Sequence, residues 1–161
     1  MKRLVVYYTY NGSCKVAAEV IASRYDVDII ELEEKKPLAN NSFGFIKGVI
    51  YTIFNAKSKL NFPVNDKIKD FQELYLILPI WVAKTPPTIN TFLAEANLAD
   101  KTINVLTLQG DKELKGSQKV MQSIASRIEA KGGKVGATQN IFGADLKKTI
   151  SKEDAEERIT I

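Results

Sequence analysis

Five short runs of β-forming residues, each followed by a stretch with helical patterning, constrain the fold of this 161-residue chain more than any other feature. The first run, residues 3–9 (Arg-Leu-Val-Val-Tyr-Tyr-Thr), is almost continuously apolar rather than alternating. That pattern belongs to a strand buried on both faces. From Cys14 the period becomes helical, with Val16, Ala17, Val20 and Ile21 on one face. Residues 26–32 read as a second strand, 74–78 as a third stopped by Pro79, 102–108 as a fourth and 135–142 as a fifth. Between them, Thr85-Pro86-Pro87 predicts a helix with threonine as N-cap and proline in the first position. Ile89, Phe92, Leu93 and Ala96 form its inner face. A further helix starts at Gly116-Ser117, carries Val120, Met121, Ile124 and Ile128, and ends at Gly132-Gly133. Ser151-Lys152-Glu153-Asp154 resembles a capping box opening a last short helix.

Strands alternating with helices imply a parallel sheet with right-handed crossovers. Five strands in a chain of this length suit one α/β domain spanning residues 1–161, a doubly wound five-stranded parallel sheet of order 2-1-3-4-5. In such a sheet ligands bind outside the carboxyl ends of the strands, where the order reverses between strands one and three. The loops after Thr9 and Leu78 are therefore expected to meet. The long connection 37–70 contains a dense apolar segment, 43–54, which predicts a helix despite Gly44 and Gly48. The plainer expectation is a helix covering one sheet face; the other is an apolar surface left for a partner or a membrane.

Composition removes whole classes of chemistry. The chain has no histidine, which excludes Ser-His triads and His-ligated zinc, and a single cysteine, Cys14, which excludes an internal disulfide or a thiolate cluster. Without those tools a protein borrows chemistry from a cofactor or only binds. The net charge of +4 is carried by lysines that are scattered apart from a looser concentration at Lys35-Lys36 and at Lys57, Lys59, Lys67 and Lys69; with no arginine-rich run or nucleic-acid module, no nucleic-acid partner is expected. No apolar stretch approaches the roughly 20 residues of a membrane span, and no secretory leader precedes the first strand, so a cytoplasmic protein without an integral membrane segment is expected.

Three loops hold the candidate site. The first, Thr9, Tyr10, Asn11, Gly12, Ser13 and Cys14, joins a buried strand to a helix N-terminus, where free amides and the helix dipole favour an anion such as a phosphate monoester. An ordinary strand-to-helix turn capped by Asn11 or Ser13 is the alternative. The second, Pro79, Ile80, Trp81, Val82 and Ala83, brings the sole tryptophan to the predicted crevice, to stack on a planar ligand or to pack as a core residue. The third follows strand four, with Thr107, Leu108, Gln109 and Gly110 at its start and Gly116 at its end.

Together these loops resemble the flavodoxin family over nearly the whole chain. The stretch 9–14 followed by Lys15-Val16-Ala17 resembles the family's Thr/Ser-x-Thr-Gly-Asn-Thr loop and its x-x-Val-Ala helix start. Pro79-Ile80-Trp81, Pro86-Pro87 and Phe92-Leu93 resemble its Pro-Ile-Trp/Tyr, Pro-Pro and Phe-Leu pattern. The connection from Gly44 to Leu60 looks like that of a flavodoxin-like branch similar to flavin-dependent protoporphyrinogen oxidases. The resemblance implies FMN as cofactor, its phosphate held by residues 9–14. Residues 79–83 with Trp81 would then flank the flavin ring, with residues 107–110 at its other edge. It implies electron transfer or oxidoreduction with a redox protein, an acidic one given the basic chain. A dedicated oxidase or reductase acting on a porphyrinogen or quinone, and a module that has lost FMN, are the alternatives. Asn11, Ser13 and Cys14 replace the family's threonine, asparagine and final threonine, and a thiol is expected to grip phosphate less well than a hydroxyl. Cys14 lacks the arginine six positions on that a thiolate phosphatase needs, since Val20 stands there. Receiver, dinucleotide and Walker signatures are absent.

Overall fold

The three central strand runs share the middle of one sheet because each carries two apolar faces, while the two edge strands are exposed or half-buried along most of their length. A computed structural model of the chain describes residues 1–39, 41–145 and 148–161. β1 (Arg3–Tyr7), β2 (Asp28–Glu31), β3 (Glu73–Pro79), β4 (Thr102–Gln109) and β5 (Lys134–Phe142) pair in parallel in the order β2-β1-β3-β4-β5. Alternation splits each strand between two cores. Leu4, Val6, Leu74, Leu76, Leu78, Ile103 and Val105 face one side, under α3 (Val64–Ile68), α4 (Pro87–Glu95) and α5 (Ser117–Glu129). Val5, Tyr7, Tyr75, Ile77, Leu106 and Leu108 face the other, under α1 (Ser13–Tyr25) and α6 (Lys152–Arg158). The doubly wound fold is thus the direct result of two-sided burial.

Several boundaries differ from the sequence-based expectation, each for a local reason. β2 begins at Asp28 because Asp26 adopts a left-handed φ of 50° and closes α1, its amide donating to the Ala22 carbonyl. Pro79 does not stop β3 but forms its last residue, in register with Leu108; a terminal position spares the ladder the missing donor. Thr85 does not cap α4. Its hydroxyl donates to Asn90 Oδ1 at 2.7 Å, and Pro86 occupies the N-cap. α3 lies inside the connection read as a single helix plus loop. The capping box at Ser151 forms as expected, with Ser151 Oγ accepting from the Asp154 amide at 3.1 Å.

α2 (Ser42–Ile53) is the exception to the packing rule. Only Gly44, Gly48 and Thr52 of this helix are buried, while Phe43, Phe45, Ile46, Ile50, Tyr51 and Ile53 stay exposed. The expectation of a helix that seals a sheet face with its large side chains is not met.

Candidate functional site

At the carboxyl ends of β1, β3, β4 and β5 the connecting loops enclose a cleft of about 790 Å³. That volume lies in the range usual for small-molecule sites, and its position is the switch point of the sheet. Among the described residues, none that lines it carries a charge at neutral pH, so they supply polar and aromatic groups but no acid–base pair. Among the described residues, no cluster of His, Cys, Asp and Glu could hold a metal ion.

One end of the cleft is the turn into α1. Gly12 is the N-cap with φ 91°, a left-handed conformation that a residue with a Cβ adopts only under strain. The N-cap glycine itself offers no side-chain cap, and the first turn has no acidic residue. The Gly12 amide is taken by Thr9 Oγ1 (3.0 Å) and the Ser13 amide by Asn11 Oδ1 (3.1 Å). Among the described residues the Cys14 and Lys15 amides have no acceptor, which leaves two donors and the positive end of the helix dipole for an anion. The chain after β5 straps this turn from outside. Asn11 Nδ2 donates to the Lys148 carbonyl (3.0 Å), Thr149 Oγ1 donates to the Asn11 carbonyl (2.6 Å), and the Ile150 amide donates to Ser13 Oγ (3.1 Å). Ser13 Oγ thus spends a lone pair on the strap and keeps its proton as a donor. Cys14 points its sulfur into the core beside α1 and the sheet; burial pushes the thiol well above its ordinary range and keeps it neutral.

The walls are aromatic and apolar. Tyr10 and Tyr8 both meet Trp81 edge to face, at centroid distances of 5.5 and 6.0 Å, so the loops after β1 and β3 do join. Tyr10 also tilts against Phe45 of α2, and its hydroxyl donates to the Ala39 carbonyl at 2.9 Å. A Cβ on Gly48 would stand 3.0 Å from the Trp81 ring, so that glycine lets α2 approach the indole. Residues 81–84 form a two-residue turn closed by Trp81 N to Lys84 O (3.0 Å) and Lys84 N to Trp81 O (2.9 Å). Val82 and Ala83 both take positive φ there, 49° and 54°, where glycine or asparagine would be at ease. A β-branched residue in that conformation stores strain of order 1–3 kcal/mol at the rim of the cleft. On the far wall Gln109 donates Nε2 to the Lys115 carbonyl at 3.3 Å, while its hidden Oε1 has no partner among the described residues. An unpartnered buried acceptor beside a cleft is the kind of group that a ligand's donor satisfies.

Of the residues singled out from sequence, Tyr10, Asn11, Ser13, Cys14, Pro79, Ile80, Trp81, Val82, Leu108, Gln109 and Gly110 line this cleft. Thr9 and Gly12 shape the turn behind it. Thr107 is buried, its hydroxyl donating to Asn140 Oδ1 at 2.6 Å, and Ala83 lines a second cavity instead. Sequence reasoning missed Asn41, Ser42, Phe45, Ile46 and Val49 on α2, and Gly143 and Ala144 after β5. The small residues Gly44, Gly48 and Thr52, four apart, were the available signal that α2 lies close against the fold.

A family model described as Flavodoxin matches residues 2–152. The chain belongs to the flavodoxin family. No curated protein sequence matches it. Among solved structures, this flavodoxin-family chain is similar to a candidate flavoprotein from Bacteroides uniformis, with TM-score 0.75 and 20% identity over 97% of this chain and 96% of that one. It is also similar to a Lactobacillus acidophilus flavoprotein in complex with FMN, with TM-score 0.64 and 14% identity over 86% and 92% of the two chains. Two-electron reduced flavodoxin from Megasphaera elsdenii gives TM-score 0.61 and 15% identity over 96% of each chain. At such identities the likeness is one of fold. No helix among the described residues is long and apolar enough to cross a membrane.

Proposed function

We propose that this flavodoxin-family chain binds one FMN in the cleft and moves electrons through it in the cytoplasm, exchanging them with a redox protein of acidic surface. The observation that carries the reading is the pairing, in one cleft whose described lining is uncharged, of unengaged amides at the start of α1 with the Trp81 wall. A flat apolar ring bearing a phosphate fits such a combination, and the free acceptor of Gln109 suits a ring N–H. The FMN seen in the Lactobacillus acidophilus relative of the same fold lends further support.

In this reading the amides of Cys14 and Lys15 and the Ser13 hydroxyl hold the phosphate, Tyr10 and Trp81 flank the ring, and Gln109 fixes its edge. When bound, FMN supplies the capacity to take up and release electrons singly or in pairs. The protein's part is to exclude water and to hold the ring in an uncharged setting, which needs no acid or base from the chain. The net charge of +4 suits an acidic exchange partner.

Titration of the purified chain with FMN tests this. Trp81 is the only tryptophan, so one-to-one binding with a dissociation constant of about 1 μM or tighter is expected to quench the protein's indole emission. Verified binding with unaltered emission would contradict the placement of Trp81. Absence of binding would assign the chain to the modules that have lost FMN. Sustained turnover of a quinol or porphyrinogen by the loaded protein, without a redox protein, would move it to the dedicated oxidoreductases.

A further inference from the structure

α2 is turned inside out. Its small residues face the domain, while Phe43 is 76% exposed, Ile46 57% and Phe54, just past its end, 78%. Val82, on the strained turn beside it, adds a further apolar side chain at 58%. A patch of this kind is costly in water and marks a surface that something covers.

The charges around it say what. From residue 35 to residue 65 the chain has five lysines (Lys35, Lys36, Lys47, Lys57 and Lys59) and no Asp or Glu, and all five lysines are exposed. Beside the C-terminal end of α2 a second cavity, of about 400 Å³, is lined by Lys57, Lys84, Lys119 and Arg127 with no carboxylate. Lys84 Nζ donates to the carbonyl of Ile53 at 2.8 Å, which ties this cavity to the helix. Among the described residues Arg127 donates to neutral oxygens only, Asn90 Oδ1 at 2.9 Å, the Asn90 carbonyl at 3.1 Å and Thr85 Oγ1 at 3.5 Å. Among the described residues none of the four cations has an acidic partner.

We propose that the α2 face docks on an anionic lipid bilayer, its phenylalanines and isoleucines entering the acyl boundary while the surrounding lysines and the basic cavity meet lipid phosphates. An apolar helix face with a lysine on the helix and others flanking it on both sides in the chain is an arrangement that interfacial helices use. Each lysine near an anionic leaflet adds about 1 kcal/mol, and several act together here. A second copy of the chain suits the face less well. A twofold contact would set the lysine-rich surround of one copy against the same surround of the other. Docking in this way does not depend on the flavin reading, although it would bring the wall formed by Phe45, Ile46 and Val49 to the membrane side of the cleft.

Co-sedimentation of the full chain with vesicles tests the proposal. Binding is expected on phosphatidylcholine vesicles containing phosphatidylglycerol, with little on phosphatidylcholine alone, and it should weaken as salt is raised. Replacing the two most exposed aromatics in Phe43→Ser/Phe54→Ser should lower the partition coefficient by about tenfold or more. Lys47→Gln/Lys59→Gln should lower it by about tenfold on the anionic vesicles and leave the neutral ones unaffected. Circular dichroism confirms folding, and neither pair lines the flavin cleft, so FMN titration reads separately. Failure to sediment overturns the proposal, as does equal binding to both vesicle types. So does a dimer in analytical ultracentrifugation that Phe43→Ser/Phe54→Ser dissolves. Retention on polyglutamate without vesicle binding would give the face to an acidic protein and equally overturn it.

Discussion

Cys14 shows how one residue can stand at a functional turn and yet belong to the core. Its amide is among the unengaged donors of α1, while the residue as a whole is 1% exposed and its side chain packs in the core. The helix N-terminus would ordinarily lower a thiol's pKa, but burial dominates here and drives it the other way. The thiol therefore lies in the core, while the amide of the same residue has no acceptor among the described residues. The native thiol should react with Ellman's reagent at least about two orders of magnitude more slowly than the unfolded chain, which should titrate as one equivalent in guanidinium. Prompt native labelling would mean that the sulfur is exposed. Neither this orientation nor the strap from Lys148, Thr149 and Ile150 was legible in the sequence. Side-chain direction at a turn depends on contacts with residues 137 positions away. Tyr10, Asn11, Ser13 and Cys14, and Leu108, Gln109 and Gly110, could be placed at the cleft because strand ends and glycines are local signals.

Among elements, the strands were the easiest to read, since continuous apolar runs such as Leu74-Tyr75-Leu76-Ile77-Leu78 admit few other fates. α2 was legible as a helix but not in its orientation. Total hydrophobicity suggested burial of the large residues, whereas the i, i+4, i+8 row of Gly44, Gly48 and Thr52 decides which face fits. The turn 81–84 was read as a loop without its strain, because valine and alanine do not advertise positive φ. That turn is held by α5: a Cβ on Gly116, at φ 76°, would stand 2.6 Å from Ala83 Cβ. Gly116→Ala should therefore cost about 2–4 kcal/mol from backbone strain and overlap together. Ala83→Gly removes the overlap but not the strain at 116. Alone it should stabilise by up to about 1 kcal/mol, and in the Gly116→Ala background it should recover more than that. Strictly additive denaturation free energies would show that the two residues do not press on one another.

Across the whole molecule the two ends of the sheet are built for different ends. The carboxyl end gathers strained turns, free amides and an unpartnered acceptor. The amino end is tied laterally by a polar chain: Arg3 Nε donates to Glu73 Oε2 (2.7 Å), Asn104 Nδ2 to Glu73 Oε1 (2.8 Å), and the Ala137 amide to Asn104 Oδ1 (2.8 Å). β1, β3, β4 and β5 are all joined, and Gly136 makes room, since a Cβ there would fall 2.2 Å from Asn104 Oδ1. Burial by itself would raise the Glu73 carboxyl, but the hydrogen bonds from Arg3 and Asn104 and the charge of Arg3 outweigh it, and the net shift is downward. A carboxyl lowered in the folded state binds fewer protons there than in the unfolded chain across the interval between the two pKa values. Its contribution is complete above the unfolded value, near pH 4.3, and is lost as pH falls through the lower folded value. Glu73→Gln should accordingly lower stability at neutral pH and flatten the acid limb of stability against pH. The slope difference in that interval should approach, at most, about 1.4 kcal/mol per pH unit, the value for one proton. Denaturant midpoints for both proteins between neutral pH and the onset of acid unfolding measure this directly. Parallel curves would mean that Glu73 carries no proton linkage, and that the lateral chain stabilises the sheet by hydrogen bonding without a net charge effect.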